Sequence, residues 1–203
     1  MEAFESFVAL ALEAEDFVVS PGVKFRVKRQ TRKAAYAEMQ THGYEVDLVA
    51  ARGERLVLAT VKSFFGSGGV RADHVTGETT VDRFRRRYVL LNDPALRREV
   101  VRLAARRYGY RVAEVQLRLY VGRFAAPQKG HHENQIRAWA KAQKVGRGSI
   151  EVMDAAEVVE KVRVEAGEKQ YRDNPVLITM KVLDAAGQLV GAGHLTQGRV
   201  SAP

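Results

Sequence analysis

The chain has 203 residues, 46% apolar and 28% charged, a globular composition with room for one substantial core or for a domain of about 100 to 150 residues plus an appendage. It contains no cysteine, which excludes disulfides and thiolate metal ligands, and no run approaches the roughly 18 apolar residues that span a bilayer, so a cytoplasmic protein without membrane contact is expected. The net charge of +9 suits a polyanionic partner such as a nucleic acid.

Residues 2 to 16 predict an amphipathic helix, with Phe4, Val8, Ala11 and Leu12 at helical spacing and Glu2, Glu5, Glu13, Glu15 and Asp16 on the polar side. A Ser20-Pro21-Gly22 turn leads into a period-two strand from Val23 to Lys28. Arg29, Arg32 and Lys33 open a basic connection to Gly43, read as a short helix in preference to a substrate loop bearing Tyr36. Two apolar-rich runs follow, Tyr44 to Ala51 and Arg55 to Phe65, joined by Gly53-Glu54 in the pattern of a type II′ hairpin. That register sets Asp47 opposite Thr60 and Glu45 opposite Lys62.

An acid on one strand facing a lysine on the next can orient a water and hold a cation near a phosphate. The arrangement resembles the PD-(D/E)XK nuclease superfamily, whose motif is an acid on one strand and acid-X-Lys on its neighbour. Asp47 matches the first acid and Lys62 the lysine, while Thr60 stands where the second acid belongs. Glu5 resembles the acid that the family takes from its first helix, with Glu13 as a substitute. The resemblance implies an α/β restriction-endonuclease-like core, a mixed central sheet flanked by helices, over residues 1–125, with a C-terminal α/β extension over 126–203 that packs on or completes it. It implies a Mg²⁺-dependent (or Mn²⁺-dependent) phosphodiester hydrolase acting on nucleic acid, DNA ahead of RNA. Glu5, Asp47, Thr60 and Lys62 would form its site, with Glu5 and Asp47 on the metal. Thr60 keeps an inactive nucleic-acid-binding protein on the same scaffold as the alternative, and a homodimer stays open because dimers are common in the superfamily.

Beyond the hairpin, Gly66-Ser67-Gly68-Gly69 is read as a flexible loop able to approach a ligand closely. Asp73, His74 and Glu78 fall in a polar loop, and a helix start is expected near Thr79 or Thr80. From Arg83 to Arg111 there are ten arginines against two acids, which carries +8 of the +9. Ala95 to Tyr108 reads as a helix with Arg98, Arg102 and Arg106 in a stripe, and these with Arg85, Arg86 and Arg87 are the candidate backbone-reading surface. Val112 to Phe124 predicts a further strand of the same sheet, and Ala125 to Gly130 a junction. A helix with a solvated start at His131-His132, a strand at Ser149 to Met153 and a helix from Ala155 to Glu165 follow; Val176 to Leu183 fits either an edge strand or a buried helix.

Overall fold

Three successive apolar-rich segments make an antiparallel meander, and each later strand reaches it through a helical crossover. The computed structural model describes residues 2–30, 39–126, 131–168 and 173–189. Helix α1 (Ala3–Glu13) precedes β1 (Val18–Gln30), β2 (Met39–Arg52) and β3 (Arg55–Lys62). Helices α2 (Ala72–Thr76), α3 (Asp82–Arg86), α4 (Val89–Asn92) and α5 (Pro94–Tyr108) then lead through a 3-10 turn (Val112–Glu114) to β4 (Val115–Val121). After α6 (His132–Ala142) come the two-residue strands β5 (Lys144–Val145) and β6 (Gly148–Ser149), then β7 (Glu151–Asp154), α7 (Ala155–Gly167) and α8 (Pro175–Ala185).

The main sheet has the order β1-β2-β3-β4-β7. The first three strands are antiparallel, and β4 and β7 run parallel to β3. The chain is therefore α/β with a mixed five-stranded sheet, and β7, from the C-terminal extension, is an integral strand of it. One apolar layer joins Leu56, Leu58, Val115, Leu117 and Leu119 to α2, α4, α5 and α6; the other joins Val57, Ala59, Val61 and Tyr120 to α1, α7 and α8.

The expected turn at Ser20-Pro21-Gly22 is instead a kink inside one long strand. Gly22 has φ +60°, and pairing runs from Val18↔Ala51 to Pro21↔Leu48 and resumes at Val23↔Val46 in the same register. Faces invert across this gap: Val19 and Leu48 pack on the α1 side, Val23 and Val46 on the α5 side. Of the connection between Arg29 and Gly43, expected as a short helix, residues 29–30 and 39–43 are strand, since β1 continues to Gln30 and β2 begins at Met39. Arg32, Lys33 and Tyr36 lie outside the described residues.

Other expectations shift for local reasons. Residues 73 to 76 form α2 rather than loop, α3 begins at Asp82 without a threonine cap, and Val112–Glu114 is a 3-10 turn ahead of β4. Asp93 caps α5 by accepting from Ala95 N (3.1 Å) and Leu96 N (2.9 Å), with Pro94 in the first turn and Gly109 at φ +76° ending it. Val176 to Leu183 is helix, capped by Asn174, because that side chain accepts the Val176 N–H at 2.9 Å and Pro175 suits the first helical position.

The polar positions of β4 are the least expected. Gln116, Arg118 and Tyr120 alternate with apolar residues, yet all are buried, because β4 is a central strand covered on both faces. Arg118 Nη1 donates to Glu15 (3.0 and 3.1 Å) and to the Tyr120 hydroxyl (3.3 Å). Its Nε lies 2.8 Å from Glu151 Oε2 but too bent for a hydrogen bond, so that pairing is a charge contact. Lys161 from α7 also donates to Glu15. Burial and the neighbouring carboxylates push the Tyr120 phenol up to about 12, against the opposing pull of Arg118.

Candidate functional site

Strands β2 and β3 part company at Asp47. Their last ladder pair is Leu48↔Ala59, and the Asp47 carboxylate fills the fork: Oδ2 accepts the Val61 N–H at 2.7 Å and lies 3.5 Å from Lys62 Nζ. The side chains are 24% and 19% exposed, shielded but reachable from solvent. The acid and the lysine singled out in the sequence thus share one site, created by the same kink that inverts the hairpin. Gly53 supplies the positive φ (+46°) at the first turn position, and with it the register that puts 47 level with 60.

Glu45 does not face Lys62 as expected. The strands have diverged by then, and Glu45 pairs across β1 with Lys24 at 3.4 Å. Thr60 is buried at 6% exposure, so its hydroxyl offers little to an outside ligand. Glu5 sits in the first turn of α1, where Oε2 accepts the Glu2 N–H at 3.0 Å in a capping box. That turn stands over the end of β3: Ser63 Oγ donates to Glu2 Oε2 at 3.1 Å, and Phe4 meets Phe65 edge-on at 5.3 Å. Glu2 is therefore an acid at this end of the sheet that motif matching passed over. Glu13, the substitute acid, lies about 12 Å farther along the helix axis.

The glycine-rich segment does a different job from the one expected of it. At Gly69 (φ +83°) a Cβ would come within 2.4 Å of the Phe124 carbonyl oxygen, so its bareness admits the chain's own backbone. Val70 N and Ala125 N complete that clasp at 2.8 and 2.9 Å. Directly beyond Lys62, Gly122 N donates to Lys62 O at 2.8 Å, and a Cβ there would stand 2.2 Å from Ser63 O. Gly122→Ala is expected to cost about 1–3 kcal/mol by overpacking backbone that cannot yield. A thermal melt reads this, and an unchanged midpoint would show that the clasp is slack.

The lesser candidates are engaged elsewhere. Asp73 binds Arg71 at 2.9 Å; burial would raise its carboxyl, but Arg71 and the His74 charge outweigh that and hold it below the usual range. His74 is held down by burial first and stacks on Phe84 at 4.5 Å. His132, expected at a solvated helix start, is buried and accepts the Ala72 N–H through Nδ1 at 3.3 Å. Among the described residues, no three His, Asp or Glu side chains gather into a metal site.

All six arginines of the candidate basic surface are exposed. Arg85 and Arg86 share Asp82, and Arg102 is held by Glu99 at 2.7 Å. Arg97, between them in sequence, is buried and donates to Leu91 O (2.5 Å) and Gln143 (3.1 Å). The open cavity of about 310 Å³ lined by Arg52, Gly53, Glu54, Arg55 and Arg147 lies at the other end of β3 from Lys62. Eight strand residues put the two about 23 Å apart.

No family model, curated protein or solved structure matches this chain. Among the described residues no helix is long and apolar enough to cross a membrane. A functional reading therefore rests on the geometry at the β2–β3 fork and on the charge around it.

Proposed function

We propose that this chain is a nucleic-acid-binding, metal-dependent phosphodiester hydrolase of the PD-(D/E)XK type. The observation that carries the reading is the Asp47–Lys62 pair at the fork of β2 and β3. The element order supports it: helix, three-stranded meander, helical crossover, then a strand parallel to the third, as expected of a restriction-endonuclease-like core. The donors suit a hard cation, since they are carboxylate oxygens in a chain without cysteine, and both contacts of Asp47 fall on Oδ2. Asp47 and Glu5 would hold Mg²⁺ or Mn²⁺, which when bound polarises a phosphoryl oxygen. Lys62 places an ammonium where negative charge grows on the attacked phosphoryl group, and Val61 N–H fixes the Asp47 rotamer. The exposed arginines of α3 and α5 hold the phosphate backbone.

A second reading, a catalytically inactive DNA- or RNA-binding protein on the same scaffold, is favoured by two observations. Thr60 stands in place of an acid and is buried, and the Asp47 carboxylate already has a structural task in the fork. Incubation with single-stranded, duplex and branched DNA and with RNA, in Mg²⁺ or Mn²⁺, separates the two. Cleavage lost in Asp47 and Lys62 variants supports the hydrolase; binding without cleavage selects the inactive scaffold.

A further inference from the structure

Beyond the kink at Gly22 and Asp47, the hairpin of β1 and β2 forms an arm with two unlike faces. Val23, Phe25 and Val27 are buried toward α5 at 8%, 3% and 2% exposure. Lys24, Arg26 and Lys28 alternate with them and are exposed on the opposite face. Arg71, Arg85, Arg86, Arg102 and Arg118 each have an acid beside them, and on the arm Lys24 has Glu45. Arg26 and Lys28 instead face Gly43 and Thr41 across the ladder, neither of which can neutralise them. Successive outward cations on a strand are about 6.7 Å apart, comparable with neighbouring phosphates along one nucleic-acid strand. Arg107 couples the arm to α5, donating to Lys24 O at 3.2 Å while its guanidinium lies 5.8 Å from the Phe25 ring centre.

We propose that the outer face of this arm, through Arg26 and Lys28, is a second contact with a nucleic-acid backbone, separate from the arginines of α3 and α5. The proposal rests on the nucleic-acid reading above and adds to it where a strand runs: past the root of the arm, where Asp47 sits. A competing role exists for such charges, because β1 is the outermost strand of its sheet and lysines there discourage edge-to-edge pairing.

The experiment measures the affinity of a fluorescent 20-base-pair DNA duplex by anisotropy across a salt series, in the full chain without divalent metal. It compares wild type, Arg26→Gln/Lys28→Gln and Arg98→Gln/Arg106→Gln, with melting midpoint and light scattering recorded for each. Loss of two phosphate contacts is expected to weaken binding about tenfold near 0.1 M salt and to reduce the slope of log K against log salt by about 1.8, with the midpoint unchanged. If the arm variant keeps wild-type affinity and slope while the α5 variant weakens, the arm proposal is overturned and nucleic-acid binding stands. An arm variant that self-associates at unchanged affinity overturns it too, assigning the charges to edge protection. A wild-type chain that binds no duplex at low salt removes the proposal together with the reading beneath it.

Discussion

Asp47→Asn and Lys62→Met are each expected to reduce metal-dependent cleavage at least about 100-fold, the typical cost of removing one charge aimed at a developing anion. The substitutions are chosen to keep the fork. An asparagine oxygen can still accept the Val61 N–H, and methionine retains most of the lysine stem, which is only 19% exposed. Asp47→Ala, by contrast, leaves that N–H without its partner and is expected to cost about 1–3 kcal/mol of stability as well. Cleavage rate, duplex affinity and melting midpoint should be read on all three. Rates that fall while affinity and midpoint hold for Asn and Met mark a catalytic pair; cleavage untouched by either variant assigns any hydrolysis to another place. If none of the proteins cleaves and only Asp47→Ala loses stability, the pair is a brace for the fork on an inactive scaffold.

The largest loss of stability is expected at Arg118, which meets Glu15 and, through it, Lys161 of α7. The Arg118 side chain is 4% exposed and serves Glu15 at 3.0 Å and Glu151 at 2.8 Å. Arg118→Met keeps most of the volume but takes the buried cation from Glu15, which retains Lys161, and from Glu151, which retains Gln116, so the cost is about 3 kcal/mol, the low end for breaking a buried pair from one side. For a chain of this size that lowers the melting midpoint by about 6–12 °C. Adding Glu15→Gln should return part of the loss, because the acid is then gone as well as the base. The pH dependence has a definite sign. Burial would raise the Glu15 carboxyl, but Lys161 and Arg118 outweigh it and hold the group below its ordinary value of 4.5. A depressed carboxylate contributes stability that is present above that ordinary value and lost as pH falls through the folded one. Wild type should therefore weaken in acid below about pH 4.5 more steeply than Glu15→Gln does. Equal acid slopes in the two proteins would show that Glu15 gains nothing from its cations.

Several features could be read along the chain because they depend on neighbours in sequence. The first helix, the hairpin register set by Gly53-Glu54, the helix from Ala95 to Tyr108 and β4 as a strand of the same sheet all follow from local spacing and turn chemistry. The same turn and period-two alternation put Asp47 level with Thr60, although its contact with Lys62 is made only where the strands fork.

What spacing could not supply was anything decided by elements distant in sequence. A Pro-Gly pair reads the same in a turn and in a kinked strand; here β2 pairs along both halves of β1, making it a kink, and that kink moves Glu45 from Lys62 to Lys24. Alternation in β4 signals a strand but not that helices cover both faces, which is what puts Arg118 in the core. The glycines near residue 69 signalled close approach, yet only the fold shows that what approaches is the strand at Phe124. Composition and local pattern determined the class and the hairpin. The packing of β4 and α7 against them decided which charges are buried, because burial depends on what covers a residue and not on what adjoins it in the chain.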